Sequence, residues 1–400
     1  MKENYIDNPA ALKIDLMLRG LRIDDPLVRA WACGMDGVDI MLPRNTLVNI
    51  PCREEFTKGS PYVLRKKGGG YAITDGRGEV AAELVKRPAF YDRKTSTGVP
   101  FSRIATVHGS LTSIAPSSRC DFFNASVECK YCAGNLDVKG ADKTIYSVEE
   151  VVETVEAVLE EGVGGLIYLS TGFSEGTDGG IVFLKPYLHA IKRKFRCLVA
   201  VETLPPRENR WIDETYALGA DSVLYNLEIF DKELYEIICP GRAASIGRKR
   251  CMDALAYAAR IFPNGTVASH LIVGLEPPGS TMQGIDYLTG IGAVPILPIY
   301  RPRPGKALRI DPLTTEIILP VYKHLYRAVT EKKISLTWVR DLSMVTTPAE
   351  IRALVDDAGT RPSIVESFYK SRLGRKTAWG LSSLRRKLRV KASEGGEEGE

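Results

Sequence analysis

Short apolar runs alternate with longer amphipathic segments through most of the chain after residue 104. The short runs predict strands, and the segments with apolar residues at helical spacing predict helices. The predicted strands cover residues 110–115, 166–169, 198–201, 222–227, 267–273 and 295–299, and the predicted helices cover 147–159, 181–194, 212–218, 246–262, 282–291 and 315–329. This alternation favours right-handed βαβ units around a parallel sheet. Six units predict an α/β fold built on a (β/α)6 barrel, either closed or partial.

The pattern divides the chain into four regions, with the barrel at residues 104–340. Residues 1–103 combine short β-like runs with turn signals and predict a small N-terminal α+β module. Residues 341–391 predict a helical, basic C-terminal extension, and the Gly- and Glu-rich residues 392–400 predict a disordered tail.

The extension carries a strongly basic segment. From Lys370 to Lys391 there are nine Lys and Arg residues and no acid, and large apolar residues lie among them, including Leu373, Trp379, Leu381, Leu384 and Leu388. One interpretation is an amphipathic helix that binds an anionic membrane, a carrier protein or RNA. The other, which we favour at this point, is a basic face that is simply solvated.

Composition excludes several classes of protein. The chain has 400 residues, of which 44% are hydrophobic and 26% charged, so it can bury a large core and is not globally disordered. Its net charge of +5 does not imply a nucleic-acid partner. No apolar run reaches the roughly 18 residues of a membrane-spanning helix, and the amino terminus lacks a signal-peptide pattern. We therefore expect a cytoplasmic protein whose eight cysteines stay reduced.

Three of those cysteines lie close together in the sequence, between the first strand and the first helix of the predicted barrel. Cys120, Cys129 and Cys132 therefore fall in a loop at the carboxyl edge of the sheet, where sites form. Three thiolates can hold a 4Fe–4S cluster and leave one iron open to a further ligand. The alternative is a zinc loop completed by Asp121, Glu128 or a histidine.

The segment Cys129-Lys130-Tyr131-Cys132 resembles the cluster motif of the radical S-adenosylmethionine (radical SAM) superfamily. That family binds a 4Fe–4S cluster through three cysteines in the loop after the first barrel strand, with an aromatic residue before the last one. The resemblance implies that Cys120, Cys129 and Cys132 ligate the cluster and that Tyr131 lies beside the cofactors. The first spacing departs from the family, because eight residues separate Cys120 from Cys129 where three is commonest.

Later segments are similar to the biotin synthase and lipoyl synthase branch of that superfamily. Tyr225-Asn226-Leu227-Glu228, followed by Pro240-Gly241-Arg242, resembles its fourth-strand motif. The resemblance implies that Asn226, Glu228 and Arg242 bind SAM, since ribose hydroxyls need both donors and acceptors. Ile272-Val273-Gly274 is similar to the fifth-strand segment whose backbone lies against adenine, which assigns Val273 to the same site.

Two other strand ends supply candidate SAM ligands. After the second strand the family often has Gly-Gly-Glu, where this chain has Ser170-Thr171-Gly172-Phe173-Ser174-Glu175. Thr171 and Gly172 are the candidates there, and Glu175 does not fall at the expected place. Glu202 ends the third strand at the same edge and is a further candidate.

These features predict an enzyme with a partial (β/α)6 barrel core, which cleaves SAM reductively and gives a 5′-deoxyadenosyl radical. The radical would abstract hydrogen from an unidentified small-molecule or carrier-bound substrate, for rearrangement or C–C and C–H chemistry in cofactor biosynthesis or modification. The electron would come from a reductant such as ferredoxin or flavodoxin, and no nucleic-acid partner is expected. No residue is assigned to catalysis beyond the cofactor ligands.

We expect one cluster and not two, because the other cysteines, Cys33, Cys52, Cys197, Cys239 and Cys251, are scattered. Three alternatives stay open. The first is a sulfur-inserting synthase of the lipoyl and biotin type, which needs a second cluster. The second is a zinc-binding interaction protein without SAM chemistry, and the third is a redox or binding protein whose cluster never cleaves SAM.

Overall fold

The structure is a computed structural model that places most of the chain. It describes residues 5–34, 37–123, 126–132, 134, 143–174, 176–302, 308, 313–336, 342–355 and 372–394. Among the described residues, no helix combines the length and the apolar character needed to cross a membrane.

The predicted partial barrel is confirmed. Its sheet contains six parallel strands in chain order, and an antiparallel strand at one edge pairs with the first of them. These strands are β8 (Ala105–His108), β9 (Leu111–Ile114), β10 (Leu166–Ser170), β11 (Leu198–Glu202), β12 (Ser222–Leu224), β13 (Val267–His270) and β14 (Val294–Ile296). The β8–β9 hairpin was not expected from the sequence.

Helices connect and flank the strands of this sheet. They are α3 (Val148–Glu161), α4 (Ile181–Lys194), α5 (Arg210–Ala217), α6 (Lys232–Ile238), α7 (Pro240–Ser245), α8 (Arg248–Ile261), α9 (Pro278–Gly290) and α10 (Thr315–Glu331). The start of α3 shows how local sequence sets a boundary. The Ser147 hydroxyl accepts from the Glu150 backbone NH while the Glu150 carboxylate accepts from the Ser147 NH, which is a reciprocal capping box.

The first hundred residues form the expected α+β module. It contains α1 (Pro9–Arg19), α2 (Pro26–Ala32), β1 (Arg22–Ile23), β2 (Cys33–Gly34), β3 (Gly37–Leu42), β4 (Thr46–Ile50), β5 (Val63–Lys67), β6 (Gly70–Thr74) and β7 (Glu79–Leu84). The sheet order is β1-β5-β6-β7-β3-β2, with β4 paired to β3. After it come 3-10 turns at Ala89–Asp92 and Phe101–Arg103, the first of which donates backbone hydrogen bonds to Glu161 of α3.

Several polar contacts join this module to the end of the barrel and to the segment that follows it. The Lys13 ammonium is fully buried and pairs with Glu350, at 2.9 Å, on α11 (Pro348–Val355). The Arg301 guanidinium, beyond β14, donates to the Asn49 backbone oxygen at 2.8 Å. The module therefore packs beside α10 and α11, and the domain boundaries given above remain predictions.

The basic extension contains α12 (Arg372–Glu394), which continues three residues into the segment expected to be disordered. Its Arg386 and Ser382 side chains bond to the Asp221 carboxylate, at 2.9 and 2.5 Å. Asp221 directly precedes β12, so α12 lies at the amino edge of the parallel sheet.

Candidate functional site

A cavity of about 180 Å³ lies at the carboxyl edge of the parallel strands. Parallel strands present their carboxyl ends at one edge, so residues that follow β10, β11 and β12 meet there. The lining comes from those strand ends, the cysteine loop and α7, and comprises Cys120, Phe122, Phe123, Glu128, Cys129, Tyr131, Cys132, Ser170, Thr171, Gly172, Glu202, Thr203, Leu204, Asn226, Glu228 and Arg242. Some of these residues lie more than one hundred positions apart in the sequence, and the parallel sheet brings them together.

The first cysteine is held by the end of β10. Cys120 forms a parallel bridge with Gly172, and the Asp121 backbone NH donates to the Gly172 oxygen at 3.0 Å. A Cβ at position 172 would lie 2.8 Å from the Cys120 sulfur. The absence of a side chain at Gly172 therefore lets the cysteine loop approach the strand end.

The second cysteine is held by the segment between α6 and α7. The Lys130 NH donates to the Ile238 oxygen at 2.9 Å, and the Gly241 NH donates to the Val127 oxygen at 3.1 Å. These antiparallel contacts put Cys129 opposite Cys239. A Cβ at position 241 would lie 2.4 Å from the Val127 oxygen, so this close approach requires glycine.

The thiols differ in their electrostatic surroundings. The buried Cys239 thiol donates a hydrogen bond to the Cys129 sulfur, which lowers the pKa of Cys129, while the same contact and burial raise the pKa of Cys239. Burial raises the pKa of Cys120 to about 11. Of Cys120, Cys129 and Cys239, Cys129 is thus the thiol that most favours the thiolate, and Cys239 is the one that donates its proton in the contact.

The three cysteines share the cavity without forming a single-ion site. In the part of the chain that the structure places, no three Cys, His, Asp or Glu side chains converge on one metal-ion position. A tetrahedral zinc holds its thiolates about 3.8 Å apart, because each Zn–S bond is about 2.3 Å. The described residues of this loop therefore form no preformed tetrahedral zinc site.

A hydrogen-bonded chain links four neighbouring strands, β10 to β13, across the cavity floor. Glu202, at the end of β11, accepts from the Tyr168 hydroxyl on β10 and, at 2.7 Å, from the Asn226 amide after β12. The side-chain oxygen of Asn226 accepts a hydrogen bond from the His270 backbone NH at 3.2 Å. Asn226 is therefore oriented from both sides, and it fixes Glu202 in turn.

A buried ion pair stands beside this chain. Arg242 on α7 and Glu228 are both buried and lie 3.4 Å apart, and Arg242 also donates to the Asn226 backbone oxygen. Glu228 adopts φ 68°, a left-handed conformation that is unusual for a residue other than glycine. Backbone strain of this kind concentrates at functional sites.

Of the eight predicted cofactor ligands, seven line the cavity: Tyr131, Thr171, Gly172, Glu202, Asn226, Glu228 and Arg242. The three predicted metal ligands line it as well. Val273 does not belong to the lining; it is buried and pairs with Ile299 at the next strand end. Glu175 lies outside the described residues.

Several residues at this site were not predicted from the sequence, including Thr203 and the apolar wall residues Phe122, Phe123 and Leu204. Thr203 follows Glu202 at the end of β11, so the rule that strand ends form sites would have found it. Cys239, one of the scattered cysteines in the sequence, contacts Cys129 through loop pairing that no local pattern encodes.

Comparisons with known proteins give remote relatives. No protein-family model matches the chain. Bacteriochlorophyllide c C-7(1)-hydroxylase of Chlorobaculum limnaeum is 23% identical over 234 residues, which is 53% of this chain and 58% of that enzyme. The match thus spans little more than half of the relative's length.

Solved structures resemble the chain over a similar extent. The FeFe-hydrogenase maturase HydG from Carboxydothermus hydrogenoformans is 18% identical, with a TM-score of 0.46, over 56% of this chain and 52% of that one. Methylornithine synthase (PylB) is 15% identical, with a TM-score of 0.45, over 56% and 64% of the two chains. A radical SAM methyltransferase from Sphaerobacter thermophilus is 11% identical, with a TM-score of 0.41, over 71% and 81%.

Proposed function

We propose that the protein is a radical SAM enzyme whose 4Fe–4S cluster and SAM bind in the cavity at the carboxyl edge of the barrel. One observation carries the proposal: Cys120, Cys129 and Cys132 line the same cavity as Glu202 and Asn226, which come from different strand ends. A set of thiols facing a set of oxygen and amide groups suits a cluster beside a polar nucleoside cofactor.

The residues present fit both groups. Cys120, Cys129 and Cys132 would hold the cluster, because thiolates are the usual ligands of iron–sulfur clusters. The Thr203 hydroxyl is buried in the cavity wall and finds no hydrogen-bond partner within the described structure. A buried hydroxyl of this kind is costly unless a ligand completes it, so Thr203 would join Glu202 in holding SAM.

Bound together, the reduced cluster and SAM supply a 5′-deoxyadenosyl radical for hydrogen abstraction. The protein's own contribution is to orient the bound cofactors and to exclude water from the cavity. Phe122, Phe123 and Leu204 form apolar parts of the wall, which limit the access of water to a reactive centre. Arg242 and Glu228 stabilise the loop that presents Asn226.

The cavity of about 180 Å³ is smaller than the 300 Å³ or more that is typical of ligand sites. We expect the cavity to widen when the cofactors bind. The backbone contacts of Cys120 with Gly172, of Val127 with Gly241 and of Lys130 with Ile238 would hold the described parts of the cysteine loop in place.

For the substrate, we propose a chemical class and not a particular compound. An unidentified small-molecule or carrier-bound substrate, changed by rearrangement or C–C and C–H chemistry, fits a role in cofactor biosynthesis or modification. The Chlorobaculum limnaeum relative, a hydroxylase of bacteriochlorophyllide c by its name, agrees loosely with that role. A reductant such as ferredoxin or flavodoxin and a cytoplasmic location complete the proposal.

The test is reductive SAM cleavage. The protein is reconstituted anaerobically with iron and sulfide, reduced with dithionite, and assayed for 5′-deoxyadenosine by liquid chromatography and mass spectrometry. We expect a brown protein that absorbs near 400 nm and releases 5′-deoxyadenosine. A colourless protein that retains zinc, or a cluster protein that leaves SAM intact, would contradict the proposal.

A further inference from the structure

The described side chains of helix α12 that bond to the barrel lie on one face of the helix. Arg386 and Ser382 form hydrogen bonds with the buried Asp221. The Arg386 guanidinium also lies over the Tyr216 ring, 5.5 Å from its centroid, and the Arg196 guanidinium lies over the Trp379 ring at 5.7 Å. These contacts lie at the amino edge of the sheet, opposite the cavity. The chemistry proposed for the cavity uses none of these contacts, and it assigns no role to the outer face of the helix.

That outer face carries large apolar side chains in contact with solvent. Leu373, Leu381 and Leu384 are 66%, 47% and 55% exposed. At about 100° per residue, the three fall within an arc of about 80° on the helix surface. They form an apolar stripe about 16 Å long at 1.5 Å per residue, with the exposed Thr377 between Leu373 and Leu381, on a helix of 23 residues.

Cations border this stripe on both sides. Lys376 and Lys387 are exposed and lie about 40–60° to one side of it, while the exposed Arg385 lies about 40° to the other side. From Arg372 to Lys391 the helix contains no acidic residue. A protein partner would present a shaped groove and local acids, whereas a straight stripe with cations on both flanks matches a flat apolar layer below an anionic surface.

We propose that this outer face of α12 binds the surface of an anionic phospholipid bilayer. The leucines would enter the boundary between head groups and acyl chains, and the lysines and arginine would meet the lipid phosphates. Because α12 and the cavity lie at opposite edges of the sheet, the active site would face the aqueous phase. This inference is independent of the chemistry proposed for the cavity.

The experiment measures sedimentation of the full chain with vesicles. One set of vesicles contains phosphatidylcholine with 30% phosphatidylglycerol, and the other contains phosphatidylcholine alone. We expect at least tenfold tighter binding to the anionic vesicles, weakened by 0.5 M salt. A triple variant, L373Q/L381Q/L384Q, should lose at least tenfold in affinity, and so should K376Q/R385Q/K387Q.

A matched control replaces exposed apolar residues elsewhere in the molecule. Leu27, Val182 and Ile317 are 80%, 54% and 45% exposed, so L27Q/V182Q/I317Q removes similar surface and should bind as the wild type does. Circular dichroism checks that each variant is folded, and truncation after residue 371 gives a second way to remove the face. Equal binding to both vesicle types, or wild-type binding by the leucine variant, would overturn the proposal. Failure to bind vesicles together with self-association in sedimentation would also overturn it, in favour of a protein interface.

Discussion

Replacing Asn226 with aspartate tests the hydrogen-bonded chain at the cavity floor. The change is nearly isosteric, but it places a carboxylate where the amide now donates to Glu202 at 2.7 Å. At that distance and an effective dielectric constant of about 20, two unit charges repel by about 6 kcal/mol. The folded protein avoids part of this repulsion by binding one proton between the two carboxyls.

That proton limits the loss of folding stability in Asn226→Asp and makes the loss depend on pH. Keeping a proton on an ordinary carboxyl costs about 1.4 kcal/mol for each pH unit above about 4, which gives at most about 5 kcal/mol at pH 8 and about 3 kcal/mol at pH 6. The folded state then holds one more proton than the unfolded state. The stability of Asn226→Asp relative to the wild type should therefore fall as the pH rises, by about 1.4 kcal/mol per unit.

Urea unfolding followed by circular dichroism at pH 6, 7 and 8 measures this slope. Asn226→Ala is the matched control, because it removes the same hydrogen bonds without adding a charge and should lose about the same stability at each pH, on the order of 1–3 kcal/mol. Parallel pH profiles for the two variants would show that Asn226 and Glu202 are not in contact, and would refute the geometry described for the cavity floor.

Three further predictions concern the same edge of the barrel and its surroundings. Asn226→Ala and Glu228→Ala should each weaken SAM binding roughly 5- to 150-fold in calorimetry while leaving the cluster spectrum intact, and unchanged affinity in both would remove the assignment of these residues to SAM. Arg242→Ala should cost about 3–5 kcal/mol in urea unfolding, because it leaves the buried Glu228 carboxylate without its partner; a loss below about 0.5 kcal/mol would mean that the pair is not formed. Truncation after residue 369 should leave uncoupled SAM cleavage largely unchanged, since α12 lies at the amino edge of the sheet, and loss of cleavage in a folded truncated protein would place the helix in active-site closure.

The barrel was predictable because its signals are local. Ser147 and Glu150 mark the start of α3 by themselves, and α4 has the predicted bounds because its apolar face repeats regularly. The strand predicted at 222–227 ends at Leu224 instead. Beyond it the backbone turns, and the Leu227 NH donates to the Ser269 hydroxyl in place of a regular ladder bond.

The site was predictable only where sequence position coincides with a strand end or a motif. Glu202 and Asn226 follow strands, so their meeting at one edge is a consequence of parallel topology. The contact between Cys129 and Cys239 needed the structure, because it depends on two loops pairing over about 110 residues of separation. The docking of α12 likewise rests on Asp221, a long-range partner that no periodicity indicates.

The central claim is that Cys120, Cys129 and Cys132 hold one 4Fe–4S cluster in the barrel cavity. The most direct measurement is iron and sulfide content with SAM cleavage in the wild type and in the three single alanine variants, each reconstituted anaerobically. Cys197→Ala serves as the control, because Cys197 lies just before β11, at the opposite edge of the sheet. The account predicts about four irons per chain and 5′-deoxyadenosine release in the wild type and the control, and loss of both in each of the three variants. Full SAM cleavage by Cys120→Ala, or a cluster retained when all three cysteines are replaced together, would contradict it.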